Sequence, residues 1–278
     1  MNTSHELLIR TAFFLSVFGA IGLWEALAPR RRDIMSRWRR WPSNLGIAVL
    51  NTMLLRVVSP TAAVGIAYFA ETRGLGLLPQ LGVPQLASAV VSLLLLDLAI
   101  YLQHVLFHAV PALWRLHRVH HADTEFDVST GLRFHPFEIL ISLGFKCAIV
   151  LLIGVPPAIV LLFEVLLNAT SMFNHGNIRI APVIDHWLRM IVVTPDMHRV
   201  HHSTSPSETN TNFGFNFPWW DRLLGTYRAQ PALPHEEMPI GIEAFREPEE
   251  RTLFRMLTQP FRGTAGRYPP GQKSTNRK

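Results

Sequence analysis

Residues 86–121 read LASAVVSLLLLDLAIYLQHVLFHAVPALWRLHRVHH, and this stretch decides the fold. Its first part, 86–110, is long and apolar enough to cross the roughly 30 Å hydrocarbon core of a bilayer as one helix. Histidines at helical spacing run through its C-terminal half: His104 and His108 inside that run, then His117, His120 and His121 after it. The chain therefore reads as a membrane helix that delivers imidazoles to one end.

Outward from this stretch, further apolar runs cover 7–28, 45–70 and 137–174. The last is too long for one crossing, and Gly154, Pro156 and Pro157 mark a tight turn between two helices. Five crossings result. A composition of 49% hydrophobic and 17% charged residues, with mean hydropathy +0.20, is too apolar for an ordinary soluble domain of 278 residues. The run 7–28 follows His5 and Glu6 rather than a basic region, and no small-residue cleavage pattern follows it, so it reads as a retained anchor.

Six arginines between Arg30 and Arg40 carry much of the formal charge of +6. Placed directly after an apolar run, they suit anionic lipid headgroups better than nucleic acid, which is not expected as a partner. By the positive-inside rule this loop is cytoplasmic. Residues 71–84 then lie outside, and 117–135 and 175–235 lie in the cytoplasm, so all histidine clusters fall on one face. The expectation is an all-α, multi-pass membrane helical bundle of four to five spanning helices with a histidine-rich helical cap on the cytoplasmic face. No Ser/Gly-rich linker or charge block divides residues 6–260, and three segments are expected: membrane helices and basic loop (1–84), one catalytic domain (85–235), and a C-terminal tail (236–278), disordered in part, that becomes basic and rich in Gly, Pro, Ser and Thr after Pro260.

A second HRVHH places His198, His201 and His202 in the pattern of His117, His120 and His121. With 13 histidines in 278 residues, such a triplet has a chance probability of ~1 in 10,000 per position. On a helix, positions i, i+3 and i+4 share a face, so each triplet can aim three imidazoles at one point. Neutral imidazole ligates iron, zinc, copper and nickel. Cys147 is the only cysteine, which excludes a thiolate cluster within this chain. His175, in FNHGN after the fifth crossing, is a ninth candidate ligand. His135, in RFHP, is a candidate extra ligand or a partner of a backbone carbonyl. Asp97, seven residues before His104, is expected either to orient a ligating imidazole through its ring N–H or to pair with Arg56 or Lys146. His5, His186 and His235 lack partners at ligand spacing and read as surface or core residues. Eight or nine imidazoles exceed one coordination shell, so two ions are expected. Structural zinc would close at four ligands, and bis-histidine haem needs only single histidines facing each other. Two ferrous ions activating O₂ fit best, with zinc able to occupy the same nitrogens after aerobic purification.

At these residues the chain resembles the fatty acid hydroxylase/sterol desaturase superfamily, which carries HxxxH, HxxHH and HxxHH boxes at the cytoplasmic membrane face. LWRLHRVHH, FDVSTGLRFHP, TPDMHRVHH and FGFNFPWWDRLLGTY are similar to its bacterial sterol-desaturase-like branch, over roughly residues 90–230. The resemblance implies a non-haem di-iron oxidoreductase that hydroxylates or desaturates a lipid with O₂. The ligands it implies are His104, His108, His117, His120, His121, His198, His201 and His202, with His175 matching a further histidine of many members. Some relatives carry another histidine where this chain has Ser171. Trp219 and Trp220 suit the headgroup level and either position a lipid or anchor the chain, with Gly225 permitting a turn beneath them.

No GxGxxG fingerprint or CxxCH haem site occurs, so electrons are expected from a separate ferredoxin, cytochrome or reductase. The other three-box membrane superfamily usually places its last box farther along than the 76 residues between His121 and His198. A non-enzymatic metal carrier is the alternative, but it should spread its ligands along a path through the bilayer.

Overall fold

The computed structural model describes residues 3–32, 37–59, 61–266 and 268, with side chains from Leu8 onward. Among the described residues the chain is helical, without a β-strand: α1 (Thr3–Leu27), α2 (Trp41–Val58), α3 (Ala62–Thr72), α4 (Leu77–Gln80), α5 (Gln85–Ala109), α6 (Pro111–His121) and α7 (Pro136–Ile153) are followed by α8 (Pro157–Asn174). Shorter helices complete it: α9 (Pro182–Leu188), α10 (Pro195–His201), α11 (Pro206–Thr209), α12 (Trp219–Leu223) and α13 (Leu253–Thr258). Five segments are long and apolar enough to cross a membrane: Leu8–Leu27, Trp41–Gln80, Gln85–Ala109, Pro136–Ile153 and Pro157–Asn174.

Proline sets many of these boundaries, because its fixed φ suits the first helical turn and its ring forces the preceding residue to be extended. Val110, at φ −95° and ψ 116°, separates α5 from α6 in this way. His135, at φ −71° and ψ 141°, caps α7, its Nδ1 accepting from Phe137 N. One expectation needs correction: the run 45–70 is two helices, with α2 ending at Val58 and α3 starting at Ala62. Both helices pack against α7.

The two ends of the bundle differ in character. At one end Gly154 closes α7 at φ +77°, and a Cβ there would meet Leu75 O at 2.7 Å, so glycine alone fits. Above this turn lies the apolar core of Ala63, Val64, Ala67, Leu96, Ile100, Val150, Ile153, Val160 and Phe163. Within the same spanning region Glu164 of α8 takes Arg10 of α1 at 2.6 Å and also Lys146 of α7. At the other end the core is polar. Arg40, expected to face lipid headgroups, is instead fully buried, with Nε and Nη2 on Asp123 at 3.0 and 3.1 Å and Nη1 on Asp127 at 3.0 Å. Although burial raises the Asp123 carboxyl, Arg40 and Arg133 hold it below the usual carboxylate range. Glu25, at the end of α1, accepts from Val128 N and Asn177 N at 2.7 and 2.8 Å. The described arginines of the 30–40 loop thus share one end with the histidine helices.

The expected tail is packed where it is described. Trp114 donates to Ala265 O at 2.9 Å and stacks on Tyr268 at 5.3 Å, and Asn210 Nδ2 reaches Tyr268 O at 2.7 Å. Residues 269–278 of the tail lie outside the described residues.

Candidate metal centre

α5 brings His104 and His108 to the polar end of the bundle, and the sharp turn at Val110–Pro111 folds α6 back so that its triplet faces them. α10 supplies the second triplet: Thr194 caps it, Pro195 opens it, and the helix runs just long enough to put His198, His201 and His202 on its inner face. His175 follows the last residue of α8.

All nine imidazoles are buried and fall into two groups. His104, His108, His117, His121 and His201 form one, and His120, His175, His198 and His202 the other, with the nitrogens of each group within 4.8 Å of one another. The groups adjoin: His121 and His202 stack at 4.5 Å between ring centres.

Hydrogen bonds decide which nitrogen is bare. His175 Nδ1 lies 2.6 Å from Ser171 O and His104 Nδ1 lies 2.7 Å from Phe213 O, and a carbonyl can only accept. His201 Nδ1 faces Thr211 O at 2.7 Å, and His117 Nδ1 faces Glu138 Oε1 at 2.6 Å. With the proton on Nδ1, each Nε2 carries a lone pair. His175 Nε2 nevertheless lies 3.1, 3.2 and 3.1 Å from Nε2 of His120, His202 and His198. That one lone pair can accept a single N–H, so three further ring nitrogens at such distances are not all matched without a cation between them. Two nitrogens each about 2.1 Å from one ion, the usual metal–imidazole length, lie ~3.1 Å apart when the angle is roughly 95°. The Nε2 atoms of His104 and His117 are also 3.1 Å apart. Nε2 of His108, His121 and His201 is buried with no partner among the described residues. Both groups therefore fit a metal ion.

Burial also keeps the rings uncharged. It lowers His117 to about 3 and His175 to about 4, and pushes His120, His121, His198, His201 and His202 well below the usual imidazole value. Uncharged imidazole is the form that binds metal.

Two candidates stand apart. His135 lies outside both groups: it caps α7, and its Nε2 faces Leu257 O at 3.2 Å. Asp97 is buried but reaches no imidazole, and pairs with neither Arg56 nor Lys146. Its carboxylate accepts from Asn216 Nδ2 at 2.7 Å, Trp220 Nε1 at 2.8 Å and Phe217 N at 3.4 Å. The orienting role expected of Asp97 belongs to Glu138 and to the carbonyls of the 210–213 loop, none of which the sequence reading singled out. An intramembrane glutamate is itself a signal of function, so Glu138 was visible in PFEILISL. Trp219 donates to Met190 O at 2.7 Å, so both tryptophan N–H groups are spent within the protein.

A cavity of about 780 Å³ leads to this centre between α1, α2, α5, α7 and α8. Phe13, Phe14 and Met53 line it, and His104, His117 and Glu138 form part of its wall.

A membrane-type helical bundle closed at one end by nine converging, uncharged imidazoles defines the class: an integral-membrane protein built around a histidine site suited to metal. The chain belongs to the fatty acid hydroxylase family, whose sequence model matches residues 89–226. It lies in the fatty acid hydroxylase/sterol desaturase superfamily and is an oxygen-dependent oxidoreductase. It is 28% identical to the ornithine lipid hydroxylase of Rhizobium tropici over 89% of this chain and 74% of that one. It is 28% identical to human (Homo sapiens) alkylglycerol monooxygenase over 48% of this chain and 29% of the relative. With cholesterol 25-hydroxylase of Mus musculus the identity is 32% over 61% and 57%. The chain thus spans well under two thirds of the last two relatives. No solved structure matches it.

Proposed function

We propose that this protein hydroxylates or desaturates a membrane lipid, using O₂, at two iron ions held by the two histidine groups, with electrons from a separate donor protein. The observation that carries the reading is the junction of the first histidine group with the cavity: His104 and His117 form part of the wall of a largely apolar chamber between the spanning helices, and the second group adjoins the first where His202 stacks on His121. His104, His108, His117, His121 and His201 would hold one ion and His120, His175, His198 and His202 the other. When bound, the iron pair supplies O₂ activation and the one-electron steps that side chains cannot.

The chain's own residues do the rest. Glu138 and the carbonyls of Phe213, Thr211 and Ser171 hold protons on Nδ1 and so aim Nε2 inward. Phe134, stacked on His120 at 4.5 Å, and Phe213, edge-on to His104 and His201, shield the centre from water. The cavity walls orient a hydrocarbon toward it. The centre faces the cytoplasm, where a soluble donor can reach the cap. Residues 85–235 form the catalytic unit, 1–84 contribute cavity wall, and the segment from 236 covers the cap. Bilayer lipids surround the spanning helices.

The test compares whole-lipid mass spectra of a source strain lacking the gene, complemented with the native chain or with a His120→Ala, His201→Ala variant, one ligand from each group. A lipid gaining one oxygen, or losing two hydrogens, only with the native chain is expected. Identical profiles from membrane-inserted, iron-loaded native protein supplied with O₂ and reductant would remove the lipid-oxidation reading.

A further inference from the structure

Three buried oxygens in the cavity wall have no hydrogen-bond partner among the described residues: Asn51 Oδ1, Gln103 Oε1 and Glu138 Oε2. All three residues line the cavity that reaches His104 and His117, and they are only 6%, 9% and 3% exposed. Their other polar atoms are engaged. Asn51 Nδ2 donates to Phe134 O at 2.9 Å, and since a carbonyl only accepts, Oδ1 must face the other way. Gln103 Nε2 donates to Ser142 Oγ, and Glu138 spends Oε1 on His117. The three residues also sit at the histidine end. Gln103 precedes His104, Glu138 touches His117, and Asn51 holds the backbone of Phe134, whose ring stacks on His120.

Leaving one buried acceptor unmade is costly, and three in one chamber call for a ligand that brings donors. That ligand must also fill the apolar part of the cavity, along Phe13, Phe14, Leu45 and Met53. We infer that Asn51, Gln103 and Glu138 form a polar subsite for a lipid carrying an N–H or O–H donor, seated beside the metal centre with its hydrocarbon along α1 and α2. This rests on the proposed function for the cavity's role. It places the oxidised carbon within a few bonds of the substrate's polar group rather than at the far tip of a chain.

The full chain in lipid nanodiscs, kept anaerobic so that nothing turns over, would be offered two matched pairs of synthetic lipids. One pair differs as amide against ester, the other as alcohol against methyl ether, with identical chains. Native mass spectrometry reads the bound fraction. The donor-bearing member of at least one pair is expected to bind about tenfold better, the effect of one buried hydrogen bond made rather than left open. Asn51→Leu and Gln103→Met are each expected to reduce that preference to about twofold without weakening the donor-free member. Should Asn51→Leu lose its fold with its Phe134 bond, Gln103→Met carries the test. Equal binding within both pairs by the native chain, or a preference intact in the folded variants, would overturn the subsite and leave the acceptors to water. The same lipids, given iron, O₂ and reductant, separate the two ideas. Preference without oxidation keeps the subsite and removes the lipid-oxidation reading, whereas oxidation without preference does the reverse.

Discussion

Glu138 is the third residue of the mostly apolar α7 and makes one 2.6 Å contact with His117 Nδ1. Removing it leaves His117 free to rotate or change tautomer, so Glu138→Ala should weaken metal binding about 10–100-fold, as loss of an outer partner does at histidine metal sites. Titrating the metal-free variant against a chelator of known affinity measures this, and unchanged affinity would mean that packing alone fixes the ring. The buried imidazoles also set a pH dependence. Folded His117 and His175 titrate near 3 and 4, below the roughly 6.5 of an unfolded histidine. As pH falls through 6.5 the unfolded state takes up protons first, so stability is full above that value and declines steadily toward pH 4. Thermal unfolding of metal-free protein from pH 8 to pH 5 should show a falling midpoint, and a flat one would contradict the buried, neutral state. At this scale helical spacing pointed to eight of the nine histidines, and the ninth, His175, to which no spacing points, followed from its place after the fifth crossing. The sequence did not reveal their partners, because the Phe213, Thr211 and Ser171 carbonyls belong to every residue alike and only tertiary folding selects them. Asp97 misled for a related reason: helical phase placed it below His104, but the chain 216–220 folds back to take its carboxylate.

Among the elements, hydropathy located the spanning helices and proline their starts, since both act locally. The break between Val58 and Ala62 coincides with Ser59–Pro60–Thr61 in the sequence, a turn signal that the hydropathy of the run 45–70 passes over. The turn between α7 and α8 was legible from Gly154 and the prolines, and its structure supports a sharp prediction. Gly154→Val must place a β-branched residue at φ +77° with Cβ about 2.7 Å from Leu75 O. Strain of this kind costs about 1–3 kcal/mol, and the clash adds to it. The variant should unfold at a clearly lower temperature in detergent, and a midpoint within a degree of native would show that the Leu75 segment yields easily. Arg40 makes the parallel case for α2. Both it and Asp123 are wholly buried, so Arg40→Met leaves Asp123 only the more distant Arg133, at 4.0 Å, removes the cation beside Asp127, and should cost roughly 3–5 kcal/mol. The double variant Arg40→Met, Asp123→Asn should recover part of that loss, and equal destabilisation of single and double variants would deny the coupling.

For the molecule as a whole, the decisive relation is that the described arginines of the 30–40 loop and all nine imidazoles lie at one end, while the Leu75 and Gly154 turns lie at the other. Arg30 reaches Asp196 of α10 at 3.1 Å, which ties the arginine loop to the second triplet directly. The proposed orientation has charge asymmetry holding the arginine end in the cytoplasm, with the candidate metal centre beside it because Arg30 and Arg40 pack on the histidine cap. Single cysteines on a Cys147→Ser background test this orientation. Arg39, Gln80 and Ser207 are exposed positions at the arginine loop, the opposite turn and the cap. An impermeant maleimide applied to intact cells should label Gln80→Cys and spare Arg39→Cys and Ser207→Cys, with all three labelled after lysis. Labelling of Arg39→Cys and Ser207→Cys with Gln80→Cys protected would invert the protein, and the electron donor would then have to act from outside. Labelling that split Arg39→Cys from Ser207→Cys would break the shared end itself, and with it the packing of Arg30 on Asp196 and of Arg40 on Asp123 that joins the first crossing to the histidine cap.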